Sequence, residues 1–137
     1  MNREERAYKK LVVWQNAYKL RRLIYEISKQ YSRSEMRRVS QMRDSSRSIK
    51  QNIQEGYMKT LPSYINHLNI AQGSLLELRG DIEDSFDDGL IDKDTFLKID
   101  ELAGKTEYLF KRLIQSLMRR RNRIKTLIFL PDPSYPF

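Results

Sequence analysis

Arg43, Arg47 and Lys50 follow one another at spacings of four and three. On a helix turning about 100° per residue, that spacing sets three cations within about 60° of one another, as a single ridge. A second group, Arg112, Arg119, Arg120, Arg121, Arg123 and Lys125, gathers toward the C-terminal end. Guanidinium and ammonium groups arranged this way neutralise phosphates and release condensed counterions, a chemistry with steep salt dependence and weak sequence selectivity. The same charges also suit solvated faces, the negative end of a helix dipole and pairing between subunits. Both readings stand on the residues alone.

Other chemistry has less to build on. His67 is the only histidine, and no spacing assembles a metal triad or a Ser-His-Asp system around it. Aligning Gly89 with the glycine of a calcium loop puts Asp84 and Asp88 at ligand positions. Phe86 then falls where an oxygen is required and Thr95 where a bidentate glutamate should close the shell. The run Asp81, Glu83, Asp84, Asp87 and Asp88 is therefore read as an acidic helix end and turn. Asn52 and Glu55 are expected to satisfy polar groups near a turn. Tyr8, Tyr57 and Tyr64 lie near helix starts or loops, where they could stack on unpaired bases or pack at interfaces. Trp14, the only tryptophan, is expected to anchor packing. No enzyme, cofactor or metal site is expected.

The charge is sharply partitioned. Residues 1–56 carry 14 Lys and Arg against 6 Asp and Glu, residues 57–110 carry 5 against 11, and residues 111–137 carry 7 against 1. A basic first part, an acidic middle and a basic end suggest an anionic partner on one side or contacts between copies. The chain has no cysteine, which removes disulfides, thiol nucleophiles and sulfur-ligated zinc and points to the cytoplasm. No stretch approaches the roughly 18 consecutive apolar residues of a membrane span, so no membrane partner is expected.

The elements that must position these residues follow from periodicity. Val13, Ala17, Leu20, Ile24, Ile27 and Tyr31 step by four and three alternately, with Trp14 and Leu23 beside them, and predict a first helix. Ser32 with Glu35 predicts a capping box for a second helix with the inner stripe Met36, Val39, Met42, Ser46, Ile49 and Ile53. Gly56 stands where a left-handed C-terminal residue is commonly needed. Pro62 suits the first turn of a third helix lined inside by Ile65, Leu68, Ala71, Leu75, Leu78, Ile82 and Phe86, with Gly73 and Ser74 offering close approach. Asp88-Gly89 ends it, and Asp92 can cap a fourth helix lined by Phe96, Ile99, Leu102, Thr106, Phe110, Leu113 and Leu117. The fold class is all-α, an antiparallel up-down-up-down four-helix bundle over residues 11–123, with a charged arm at 1–10. A tail at 124–137 carries the apolar run Leu127 to Leu130 and three prolines, and is expected to dock on its own bundle, a sister subunit or another protein.

Three segments carry a resemblance: Leu-Val-Val-Trp-Gln-Asn-Ala at 11–17, Ser-Ile-Lys-Gln-Asn-Ile-Gln-Glu-Gly at 48–56, and Ser63 to Leu78. In order and spacing the chain resembles, over about residues 8–118, the four-helix-bundle proteins of the 23S ribosomal RNA intervening sequences. That resemblance implies a homo-oligomer, a pentameric ring, with a strongly basic surface and an RNA or DNA partner. A related branch, the accessory variability protein of diversity-generating retroelements, implies a reverse transcriptase as an alternative partner. Where the family pattern reads Ser-Ile-Pro before Asn-Ile-Ala-Glu-Gly, this chain has Lys50 for the proline and Gln54 for the alanine. Loss of the proline predicts an unkinked second helix, richer by one cation.

Overall fold

Val13, Ala17, Leu20 and Ile24 are buried along one face of the first helix, α1 (Val12–Ser28), as a stripe stepping by three and four must be when it faces other helices. The computed structural model describes residues 6–129. Within that span α1 is followed by α2 (Met36–Tyr57), α3 (Leu61–Asp87) and α4 (Lys93–Phe129). The inner stripes of all four helices meet in one core, in which Leu20, Met42, Ile49, Leu75, Leu78 and Phe110 are fully enclosed.

Cross-helix contacts fix the directions. Trp14 at the start of α1 meets Gln54 near the end of α2, and Ser28 at the end of α1 meets Arg43. Arg38 at the start of α2 pairs with Asp88 just beyond α3, and Ser48 meets Ser74. Arg79 of α3 bridges Asp100 and Glu107 of α4, while Phe86 stacks on Phe96 at 4.8 Å. Leu11 to Val13 lie beside Leu109 to Arg119. Each helix is thus antiparallel to its sequence neighbour, and α1 closes the square against α4, as short connections favour.

Several local expectations are corrected. The Ser32 hydroxyl makes no cap bond; it lies 2.8 Å from Ser34 Oγ, Glu35 pairs with Arg38, and a 3-10 turn, Arg33–Glu35, precedes α2. Met36 is 58% exposed and leaves the inner stripe. Gly56 is not a left-handed terminus, because α2 continues through it to Tyr57. A Cβ on Gly56 would sit 2.7 Å from His67 Cβ, so the glycine lets α2 and α3 touch, the part expected of Gly73, beside which nothing lies within 4 Å. In α4 the core face takes Ala103 and Ile114, while Leu102 and Leu113 are only partly buried.

Other expectations hold. Pro62 sits in the first turn of α3, and Gly89, at φ 77°, takes the left-handed turn after it. Asp92 Oδ1 accepts the Thr95 amide at 2.7 Å, and the Thr95 hydroxyl, then that amide, holds the exposed Asp92 carboxyl below its ordinary range. Helix α2 runs unbroken through Lys50. One boundary moves: helix α4 continues to Phe129, past the expected tail start at Ile124, since no glycine or proline intervenes before residue 131. Leu127 there is 71% exposed. The three prolines of the tail, Leu130 and residues 1–5 of the arm lie outside the described residues. The rest of the arm folds back as a 3-10 turn, Ala7–Lys10, fastened by a Gln15 Nε2 bond to the Lys9 carbonyl at 2.9 Å. Among the described residues no helix is long and apolar enough to cross a membrane.

Candidate nucleic-acid interface

The α2 ridge faces the flank of α1, and the two helices build a basic groove between them. Arg43 is held from two directions: its Nε donates to Ser28 Oγ at 2.9 Å, and its guanidinium lies 4.6 Å from the centre of the Tyr25 ring. Fixing the stem and face of a guanidinium in this way leaves the Nη groups to a ligand. Arg21, Arg43 and Arg47 line a cavity of about 160 Å³ together with Tyr25, Ser46 and the single carboxylate Asp44. Among the described residues neither Arg21 nor Arg47 pairs with a carboxylate. Lys29 and Arg22 also lie over Tyr25, at 4.9 and 5.9 Å, but both are paired with Glu26.

Farther toward the start of α1 the groove becomes aromatic. Trp14 stacks on Tyr18 at 5.3 Å with the rings 17° apart, and Tyr8, carried in by the folded-back 3-10 turn, tilts against Trp14 at 5.5 Å. Lys9 lies 5.7 Å over the indole. Gln54 Oε1 accepts both Trp14 Nε1–H at 3.0 Å and the Lys50 ammonium at 3.2 Å. A buried indole N–H needs such a partner. Together with Arg6 these side chains surround a pocket of about 290 Å³.

The two predicted basic clusters do not merge. Arg43, Arg47 and Lys50 line the α1–α2 groove, whereas Arg112 and Arg119 line a separate hollow with Leu11 to Val13 and Leu109, on the α1–α4 side. Arg120, Arg123 and Lys125 are exposed on the projecting end of α4, and Arg121 is half-buried with its Nε lacking a hydrogen-bond partner. Sequence reasoning missed Tyr18, Arg21, Tyr25 and Gln54. Tyr18 and Tyr25 stand seven residues apart, so the helical wheel applied to α2 would have placed them on one line of α1 as well.

The remaining candidates are absorbed by packing. Asn52 Nδ2 donates to the Ser48 carbonyl at 3.0 Å, and its Oδ1 lies 3.0 Å from His67 Nδ1. Lys59 Nζ lies 3.1 Å from His67 Nε2. An ammonium only donates, so Nε2 accepts and Nδ1–H donates to Asn52, fixing the ring at the α2–α3 seam. Glu55 accepts from Gln51 at 3.5 Å. Tyr57 and Tyr64 meet edge to face, and burial, then the neighbouring Tyr57, pushes the Tyr64 hydroxyl up to about 12. Of the three tyrosines considered for base stacking, Tyr8 alone stands in the basic groove.

The acidic face lies elsewhere. Asp88 is held by Arg38 at 2.8 Å, and the half-buried Asp81 carboxyl is pushed up by burial, then by Glu77 and Asp84, against an opposing pull from Arg38. Among the described residues no group of three or more His, Cys, Asp or Glu could hold a metal ion.

The pattern of the family described as 23S rRNA-intervening sequence protein matches residues 9–116. Among curated proteins none matches the sequence. A solved structure of similar fold is that of a protein of unknown function from the S23 ribosomal protein family of Bacteroides thetaiotaomicron. It shares 23% identity at a TM-score of 0.72, over 75% of this chain and 98% of its own.

Proposed function

The chain belongs to the 23S rRNA-intervening sequence protein family, and we propose that it is a non-enzymatic, oligomeric, nucleic-acid-binding bundle, RNA-associated and directed at phosphates. The observation that carries this reading is the α1–α2 groove, where Arg21, Arg43 and Arg47 converge on one cavity and Lys50 and Lys9 edge the next. Charge alone would be weak support. Here two of the cations lack carboxylate partners among the described residues and a third is preset by Ser28 and Tyr25, which suits an anion better than a merely solvated face. The cluster at the end of α4 adds long-range attraction to the same partner.

Assembly is part of the proposal. Val12 and Tyr108 are 57% and 61% exposed on the α1–α4 flank, an apolar surface that a second copy could cover. Copies joined there would repeat the basic groove and raise avidity without any new type of contact.

The test is equilibrium binding of a structured RNA across a salt series, with the mass of the free and bound protein measured alongside. For about six phosphate contacts per subunit the logarithmic slope is about −4 to −5, so raising salt threefold should weaken binding roughly 100-fold. A slope near zero, or a protein that stays monomeric both free and bound, would remove the corresponding half of the proposal.

A further inference from the structure

Lys50 and Gln54 lie one helical turn apart on α2, bond to each other and line the same pocket. Its other walls are aromatic: Tyr8, Trp14 and Tyr18, with Arg6 and Lys9 at the rim. A cavity of about 290 Å³ is near the roughly 300 Å³ lower end of small-ligand sites, room enough for one flat ring. Trp14 is nearly enclosed between its neighbours, so the half-buried Tyr8 and Tyr18 rings supply the π faces a base can reach, and the cations beside them suit the attached phosphate.

The phosphate cavity of Arg21, Arg43 and Arg47 lies along the same groove. Tyr18 and Tyr25 mark the two sites on α1, and seven residues of helix separate them by about 10 Å, a distance that a strand a few nucleotides long can span. Resting on the nucleic-acid reading above, we infer that the ligand is single-stranded. One unpaired base enters the Tyr8–Trp14–Tyr18 pocket while a phosphate of the same strand occupies the Arg21–Arg43–Arg47 cavity. A duplex can fill only the second, because its bases are stacked on one another and withheld from the aromatic walls.

This arrangement supplies its own reporter. Trp14 is the only tryptophan in the chain, so its emission reads the pocket directly. The experiment titrates the full-length protein with a labelled single-stranded oligonucleotide of about twelve nucleotides and with the matching duplex, following label anisotropy for binding and Trp14 emission for pocket occupancy. The expected result is saturable quenching by the single strand at the concentrations where anisotropy rises, and little quenching by the duplex. Tyr8→Leu should weaken single-strand binding by about fivefold or more, leave duplex binding unchanged, and be rescued by Tyr8→Phe, which keeps the ring.

Binding of both ligands with unmoved Trp14 emission, or equal affinities that Tyr8→Leu does not separate, would overturn the inference and leave the phosphate-directed reading standing. Binding of neither ligand would overturn both.

Discussion

Reversing Arg43, Arg47 and Lys50 together to glutamate is expected to weaken RNA binding by at least about 100-fold near physiological salt. Each charge-assisted contact to a phosphate contributes about 1 kcal/mol or more, and replacing the cation by an anion adds repulsion, so three reversals remove about 3 kcal/mol or more. The fold should survive, since Arg47 is exposed, Arg43 and Lys50 are half-buried in the groove and not in the core, and Met42, Ile49 and Ile53 beneath them are untouched. Arg43 has a second attachment, to Ser28 and Tyr25. Arg43→Gln keeps a polar group at that site and separates loss of charge from loss of packing. The comparison is Arg119→Glu with Arg120→Glu on the exposed end of α4, where the loss should stay under about tenfold, because those residues lie outside the groove and act through distance-screened attraction. Equal losses at the two places would mean that the charge is read as a whole and that the groove has no special standing.

Gly56→Val is expected to lower stability by about 2–3 kcal/mol, or roughly 6–10 °C in melting temperature. The added Cβ would meet His67 Cβ at 2.7 Å and Tyr64 Cδ1 at 3.1 Å. A Cβ is fixed to its backbone, so relief requires α2 and α3 to separate. Separation loosens the Asn52–His67 and Ser48–Ser74 bonds that lie along the same seam. Gly73 provides the opposite case: a Cβ there meets nothing within 4 Å, so Gly73→Ala should gain about 0.5–1 kcal/mol from helix propensity alone. Thermal denaturation of the two variants should move in opposite directions. A stabilised Gly56→Ala would mean that the helices do not touch there.

Both glycines also show how much of the molecule was legible. The apolar stripes named the four helices and nearly all of the core, because burial of a face repeats every three or four residues and leaves a periodic trace. A glycine leaves no such trace, since a left-handed turn and a close helix contact require the same absence of a side chain. In sequence Gly56 looks like the first; in the structure it is the second. Ser32 and Glu35 had the spacing of a capping box, yet Ser34 and Arg38 lie closer to their polar atoms, and the competition among short polar side chains cannot be ranked from spacing.

The candidate site was half legible. The α2 ridge was visible because its cations stand in register on one helix. Its partner wall on α1 is hidden in the sequence, because the apolar neighbours of Trp14 support only its assignment to packing. That assignment is right, as the indole is 9% exposed, but a packed indole still presents an N–H that needs an acceptor. Gln54, one turn beyond Lys50 on the same face of α2, is that acceptor. The contribution of the 3-10 turn could not be read from composition, since an arm of charged residues gives no sign of folding back until Tyr8 finds Trp14 and Gln15 fastens Lys9.

Ultraviolet cross-linking of bound RNA to the protein at near-physiological salt, with the modified peptides mapped by mass spectrometry, locates the bound strand on the bundle. Binding in the α1–α2 groove predicts cross-links concentrated on Tyr8, Tyr18 and Tyr25 and on the α2 segment from Arg43 to Gln54. Cross-links confined to the acidic segment 57–110 or to the end of α4, with the groove unmodified, would contradict it.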